Sequence, residues 1–213
     1  MAEYEVMAVS VGEPQAVPYH NTVVETAFIK QPISEPVYLS SFNFEGDRQA
    51  DQKNHGGRDK ALLGYCFDHF SYWKEQTGMT FQPSAFGENI TVKGLTEEIL
   101  CIGDIYQLDD AIVQVSQPRT PCYKIAARYG LKEMPLLVEQ TGYTGFYFRV
   151  LKEGMVNPQP KLTLLEKGTE DMPIIKAHRI IHNKKASKEE LEQLLYTPAL
   201  ATSLQAALKK KLG

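Results

Sequence analysis

Two periods alternate along the chain. Tyr4–Val11, Thr22–Phe28 and Val37–Phe42 are short runs rich in β-branched and aromatic residues, separated by glycine and proline, and they read as strands. Phe86-Gly87-Glu88-Asn89 opens another at Ile90. Glu97–Leu108 reads as two short strands around a Gly103-Asp104 turn, and Ala111–Gln117 as a longer one. Tyr143–Leu151 alternates, with Phe146, Phe148 and Val150 on one face and Tyr147 and Arg149 on the other. Asn157–Leu165 is the last strand in this reading.

Helical spacing predicts a helix over residues 59–77, with Leu63, Phe67, Phe70 and Trp73 on one face and Gly78 ending it. A short helix follows Cys122 and stops at Gly130, and Pro135 opens another that stops at Gly142. From Gly168 the pattern becomes helical throughout. Pro173 starts a helix with Ile174, Ala177, His178 and Ile181 on one face. Ser187 and Glu190 form a capping box for a second carrying Leu191, Leu194 and Leu195. Leu200, Leu204, Leu208 and Leu212 make a third. The pattern predicts a mainly β (α+β) domain over residues 1–167. A helical appendage over 168–213 packs on it or on a second subunit.

Composition narrows the function classes. A net charge of −3 offers no electrostatic case for nucleic acid. There is no 18-residue apolar window and no signal-peptide pattern at the N-terminus, so a cytoplasmic protein without a membrane segment is expected. Cys66, Cys101 and Cys122 have no short spacing, which argues against a disulfide framework or a cysteine-rich zinc site. Three thiols are too few for a four-thiolate cluster, so any redox chemistry needs electrons from outside the chain. Cys66 and Cys101 read as structural. No dinucleotide-binding or Walker glycine pattern occurs.

Candidate chemistry concentrates at Val115-Ser116-Gln117-Pro118-Arg119-Thr120-Pro121-Cys122-Tyr123-Lys124. A strand enters this stretch, two prolines stiffen it, and a thiol follows at the start of a helix with Arg119, Lys124 and Arg128 nearby. Cations and a helix start both favour a thiolate or a bound anion. A second polar stretch holds His55 beside Gly56-Gly57, with Lys53, Arg58 and Lys60 around it. It suits an anionic ligand and equally a solvated loop. His178 and His182 are one turn apart, without an evident third metal ligand.

Taken together, these motifs resemble the MOSC family, named for the C-terminal domain of molybdenum cofactor sulfurases, and within it the bacterial YiiM-type members. The resemblance rests on Gly46-Asp47-Arg48-Gln49-Ala50, Lys53-Asn54-His55-Gly56-Gly57 with Lys60-Ala61, Phe86-Gly87-Glu88-Asn89, Gly103-Asp104, the Cys122 stretch, and Thr141-Gly142 leading into Gly145. It implies a β-barrel core with short helices, and a molybdenum cofactor whose metal is bound by Cys122. It also implies reduction of N-hydroxylated small molecules, such as hydroxylaminopurine analogues, with an external flavin or iron–sulfur donor protein. By the same resemblance His55, Gly56, Gly57, Asn89, Arg119 and Lys124 are cofactor or pocket residues. Apart from the resemblance, Tyr147 is a further cofactor-binding candidate, and protonation of a leaving hydroxyl needs an acid, for which His55 and Tyr147 are the candidates. Pyridoxal phosphate binding and a homodimer are compatible with the family. Two other readings remain open: a sulfur carrier with a persulfide on Cys122, and a non-catalytic cofactor-binding module.

Overall fold

The computed structural model describes residues 2–19, 22–50 and 56–213. Its strands are β1 (Glu3–Val11), β2 (Gln15–Tyr19), β3 (Thr22–Thr26), β4 (Gln31–Pro32), β5 (Val37–Leu39), β6 (Leu62–Cys66), β7 (Ile90–Val92), β8 (Ile105–Leu108), β9 (Ala111–Pro118), β10 (Phe146–Lys152), β11 (Gly154–Val156) and β12 (Lys161–Glu166). The helices are α1 (His69–Thr77), α2 (Lys124–Tyr129), α3 (Met134–Thr141), α4 (Ile174–His182), α5 (Lys188–Leu195) and α6 (Thr202–Leu212), with a 3-10 turn at Arg58–Lys60.

Seven strands close into a barrel in the order β12-β8-β9-β10-β6-β7-β1, and β1 returns to β12 through Glu3↔Thr163 and Tyr4↔Leu162. Only β6 and β7 pair in parallel within this ring, and α1 lies in the crossover between them. Closure removes the exposed edges that an open sheet would present. Each barrel strand sends apolar side chains into one cluster: Val6, Leu62, Ile90, Tyr106, Val113, Phe148 and Leu162 are all buried in it. The C-terminal helices join the same cluster through Ile174, Ala177, Leu191, Leu194 and Leu208.

A second cluster covers the outside of β6. Tyr65, Phe70, Trp73, Phe81, Phe86, Ile125, Met134 and Val138 pack α1, α2 and α3 onto that face. Tyr65 stacks on Phe86 with ring centroids 4.2 Å apart, and the Trp73 indole N–H donates to the Tyr65 hydroxyl. The predicted face split of β10 holds. Phe146 and Phe148 enter the main cluster, whereas Tyr147 turns to the outer face, towards the functional pocket.

Local signals were accurate where a cap decides the boundary. Gly130 and Gly142 close α2 and α3 with φ of 68° and 77°, values glycine adopts without steric cost. The Ser187–Glu190 capping box is formed in both directions.

The helix expected over 59–77 is corrected. Residues 62–66 form β6, buried throughout, and the helix begins only at His69. A strand covered on both faces shows no alternation, and its run of apolar residues imitates helical spacing. Of the two strands expected over 97–108, only β8 forms. Cys101 makes an isolated bridge to Pro173, and Glu97 is buried as a hydrogen-bond acceptor. The stretch after β1, outside the strands expected from the sequence, contains β2, which pairs with β3 in a hairpin.

Candidate active-site pocket

The β9–β10 pairing builds one wall. Gln117 lies opposite Tyr147 and Pro118 opposite Phe146, and the Arg119 backbone N–H donates to the Gly145 carbonyl at 3.0 Å. Arg119 therefore leaves the strand in a fixed direction. It is buried at 4% exposure, with its guanidinium 5.4 Å from the Phe28 ring centroid. Among the described residues no carboxylate lies within ion-pair distance of it.

Cys122 follows at half-buried exposure, just outside α2, and its carbonyl accepts from the Ile125 N–H at 3.3 Å. Tyr123 is the N-cap of α2, which has six residues, so the helix end adds little at the thiol. Arg119, Lys60 and Lys124 line the same pocket as the thiol. Tyr147 sits close enough to feel both groups. Burial pushes its phenol above the ordinary range, Arg119 opposes that rise and Cys122 adds to it.

The opposite wall comes from earlier in the chain. Lys30 and Asp47 form a buried ion pair. Asp47 also accepts from Gly12 N–H at 2.9 Å and from the Asn89 amide at 3.0 Å. Arg128, counted from the sequence among the cations around the thiol, is instead spent on the Phe28 and Ser84 carbonyls at 3.1 and 2.6 Å. It pins the segment that carries Phe28.

These walls line a half-open pocket on the outer face of the barrel, with a cavity volume of about 70 Å³. Cys122, Lys124, Arg119, Asn89 and Tyr147 all line it, so five residues singled out in the sequence are brought together. Lys30, Arg48 and Lys60 line it too, against one carboxylate, that of Asp47, among the described residues. The result is a strongly cationic cavity.

Gly56 and Gly57 lie in an adjoining groove with Phe42, and Asp47, Arg48 and Gln49 are shared between groove and pocket. His55 and Lys53 lie outside the described residues. Lys30, Asp47 and Phe28 were not singled out individually. Asp47 lay inside a family motif, whereas nothing in the spacing of Phe28-Ile29-Lys30 marks a site.

Among the described residues no group of three or more His, Cys, Asp or Glu side chains is placed to hold a metal ion. His178 and His182 are both engaged with Glu139, at 2.7 Å to its carbonyl and 3.2 Å to its carboxylate.

A MOSC domain match covers residues 51–163, more than half of the chain. The chain belongs to the MOSC domain family. The fold places it with the YiiM-type members. The crystal structure of YiiM from Geobacillus stearothermophilus superposes with a TM-score of 0.84 at 36% identity, covering 99% of this chain and 100% of that one. The protein YflK of Bacillus subtilis is 47% identical over 98% of this chain and 94% of its own length. A protein named "Reductase" from Gibberella moniliformis is 30% identical over 88% of this chain, which corresponds to 34% of that longer protein. Among the described residues no helix is long and apolar enough to cross a membrane.

Proposed function

We propose that this protein binds a molybdenum cofactor in the Cys122 pocket and reduces N-hydroxylated compounds, hydroxylaminopurine-type base analogues among them, to amines. One observation carries the reading. A half-buried thiol, Cys122, shares its pocket with a buried guanidinium, Arg119, that no described carboxylate neutralises. A buried cation is costly until an anion meets it, and a phosphate-bearing cofactor supplies that anion. The soft sulfur of Cys122 suits a soft transition metal. Membership of the MOSC family and the likeness to a reductase support an enzyme of this kind.

When bound, the molybdenum cofactor supplies two-electron redox chemistry. The chain's own residues hold, orient and protonate. Cys122 would give the metal one ligand, and Arg119, Lys60 and Lys124, which line the same pocket, would hold the anionic end by charge-assisted hydrogen bonds. Tyr147 keeps its proton because burial disfavours the phenolate, so its O–H remains a donor towards a leaving hydroxyl. His55 is the second candidate for that donor. Asn89 shapes the wall, and Gly56 and Gly57 border the groove through which substrate enters. Electrons come from an external flavin or iron–sulfur protein of the cytoplasm. The site belongs to the barrel domain of residues 1–167, with 168–213 as its appendage.

The test is turnover of 6-N-hydroxylaminopurine with an artificial electron donor, comparing wild type with Cys122→Ser in a host that makes the cofactor. Turnover in the wild type, abolished in a folded mutant, is expected. Retained activity in the mutant contradicts the assignment. A persulfide on Cys122 detected by mass, in place of turnover, moves it to a sulfur carrier.

A further inference from the structure

Lys60 reaches the pocket from the 3-10 turn Arg58–Lys60, and its ammonium lies 5.9 Å from the Tyr147 ring centroid. The residue beside it, Asp59, is held by three separate elements. Its Oδ1 accepts from the Arg149 Nε on β10 at 2.8 Å. Its Oδ2 accepts from both the backbone N–H and the hydroxyl of Thr202, the first residue of α6, each at 2.8 Å. Its carbonyl lies 2.5 Å from the Ser116 hydroxyl on β9, and the Ser116 carbonyl in turn accepts from the Ala201 N–H. On its other side Lys60 is followed by the fully buried Ala61, and its own N–H closes the turn onto Gly57.

We propose that Asp59 is a positioning residue that presents Lys60 to the Cys122 pocket, and that the C-terminal helix α6 is part of the binding site because it grips Asp59. The connection is reciprocal. α6 has no side-chain cap of its own, and its N-cap position is Ala201. Asp59 supplies the missing acceptor for an otherwise unpaired helix-start donor. In return, α6 and Arg149 hold the Asp59 carboxylate while Ser116 holds its backbone carbonyl, so the neighbouring lysine enters the pocket already ordered. Burial pushes the Asp59 carboxyl up, but the Thr202 and Arg149 contacts outweigh it and hold the group below its ordinary value, ionised at neutral pH. A ligand that meets a preordered cation avoids the cost of immobilising it, about 0.5–1.5 kcal/mol per side chain. That corresponds to roughly a two- to tenfold gain in affinity.

The inference rests on the pocket's reading as an anion site, and the probe is inorganic pyrophosphate, titrated calorimetrically into the full-length protein. Thr202→Pro deletes both donors to Asp59 Oδ2. It suits the first helical position, and the preceding Ala201 is already extended with ψ of 135°. Thr202→Ala removes the hydroxyl alone and serves as the milder variant. Pyrophosphate affinity is expected to fall about two- to tenfold in Thr202→Pro, and less in Thr202→Ala. In a Lys60→Gln background the same Thr202 substitutions are expected to have no further effect. Unchanged affinity in both Thr202 variants overturns the proposal, as does an equal loss with and without Lys60, which reports general loosening. Failure of the wild type to bind pyrophosphate overturns the anion-site reading itself, and this proposal with it.

Discussion

The Asn89 side-chain amide donates to Asp47 Oδ2 at 3.0 Å and to the Ser10 carbonyl at 3.2 Å, while its oxygen accepts from the Leu63 N–H at 3.2 Å. One side chain thus ties β1, β6 and the Lys30–Asp47 pair into the pocket wall, and its donors are spent on protein. Asn89→Ala leaves several buried polar groups without partners. Unfolding stability is expected to drop by about 2–4 kcal/mol, measured by urea denaturation. A loss under 1 kcal/mol means these bonds are replaced by water.

Arg119 carries a buried charge that no described carboxylate meets. Arg119→Met keeps much of the stem's volume and removes the charge, so the ligand-free protein is expected to melt at the same temperature or higher. The stabilisation that pyrophosphate gives the wild type is expected to vanish, with affinity reduced at least about tenfold. Thermal melting with and without pyrophosphate measures both. A less stable mutant that still responds to pyrophosphate contradicts the role.

His178 is held neutral. Burial pushes its imidazole below the ordinary 6.5, the Glu139 carbonyl opposes that shift, and the charge on His182 adds to it. Below pH 6.5 the unfolded chain takes up a proton that the folded chain resists, so stability is lost as pH is lowered through that window and is level above it. Denaturant midpoints between about pH 5 and 8 should show this slope. His178→Gln should remove His178's share of it, and identical slopes in both proteins would assign the effect elsewhere.

Much of the site was legible because it is local. Arg119, Cys122 and Lys124 lie within six residues, and Tyr147 reaches them through the neighbouring strand, opposite Gln117. Lys30 and Phe28 arrive through packing of a segment that has no pairing with β9 or β10, and no spacing marks them. The C-terminal helices were legible from caps and leucine spacing. Their connection to Lys60 through Asp59 was not, because 143 residues separate Asp59 from Thr202. The misassigned helix over 59–77 has a similar cause. Leu62 packs inside the barrel and Tyr65 beneath α1, and burial on both faces erases the period that separates strand from helix.

In the proposed function Cys122 holds a metal-bearing cofactor. Elemental analysis for molybdenum, on wild type and Cys122→Ser purified from a cofactor-producing host, tests it most directly. Molybdenum is expected bound to the wild type and lost from the mutant, with circular dichroism unchanged. Equal molybdenum in both proteins, or none in the wild type after purification under anaerobic, low-phosphate conditions, would contradict it.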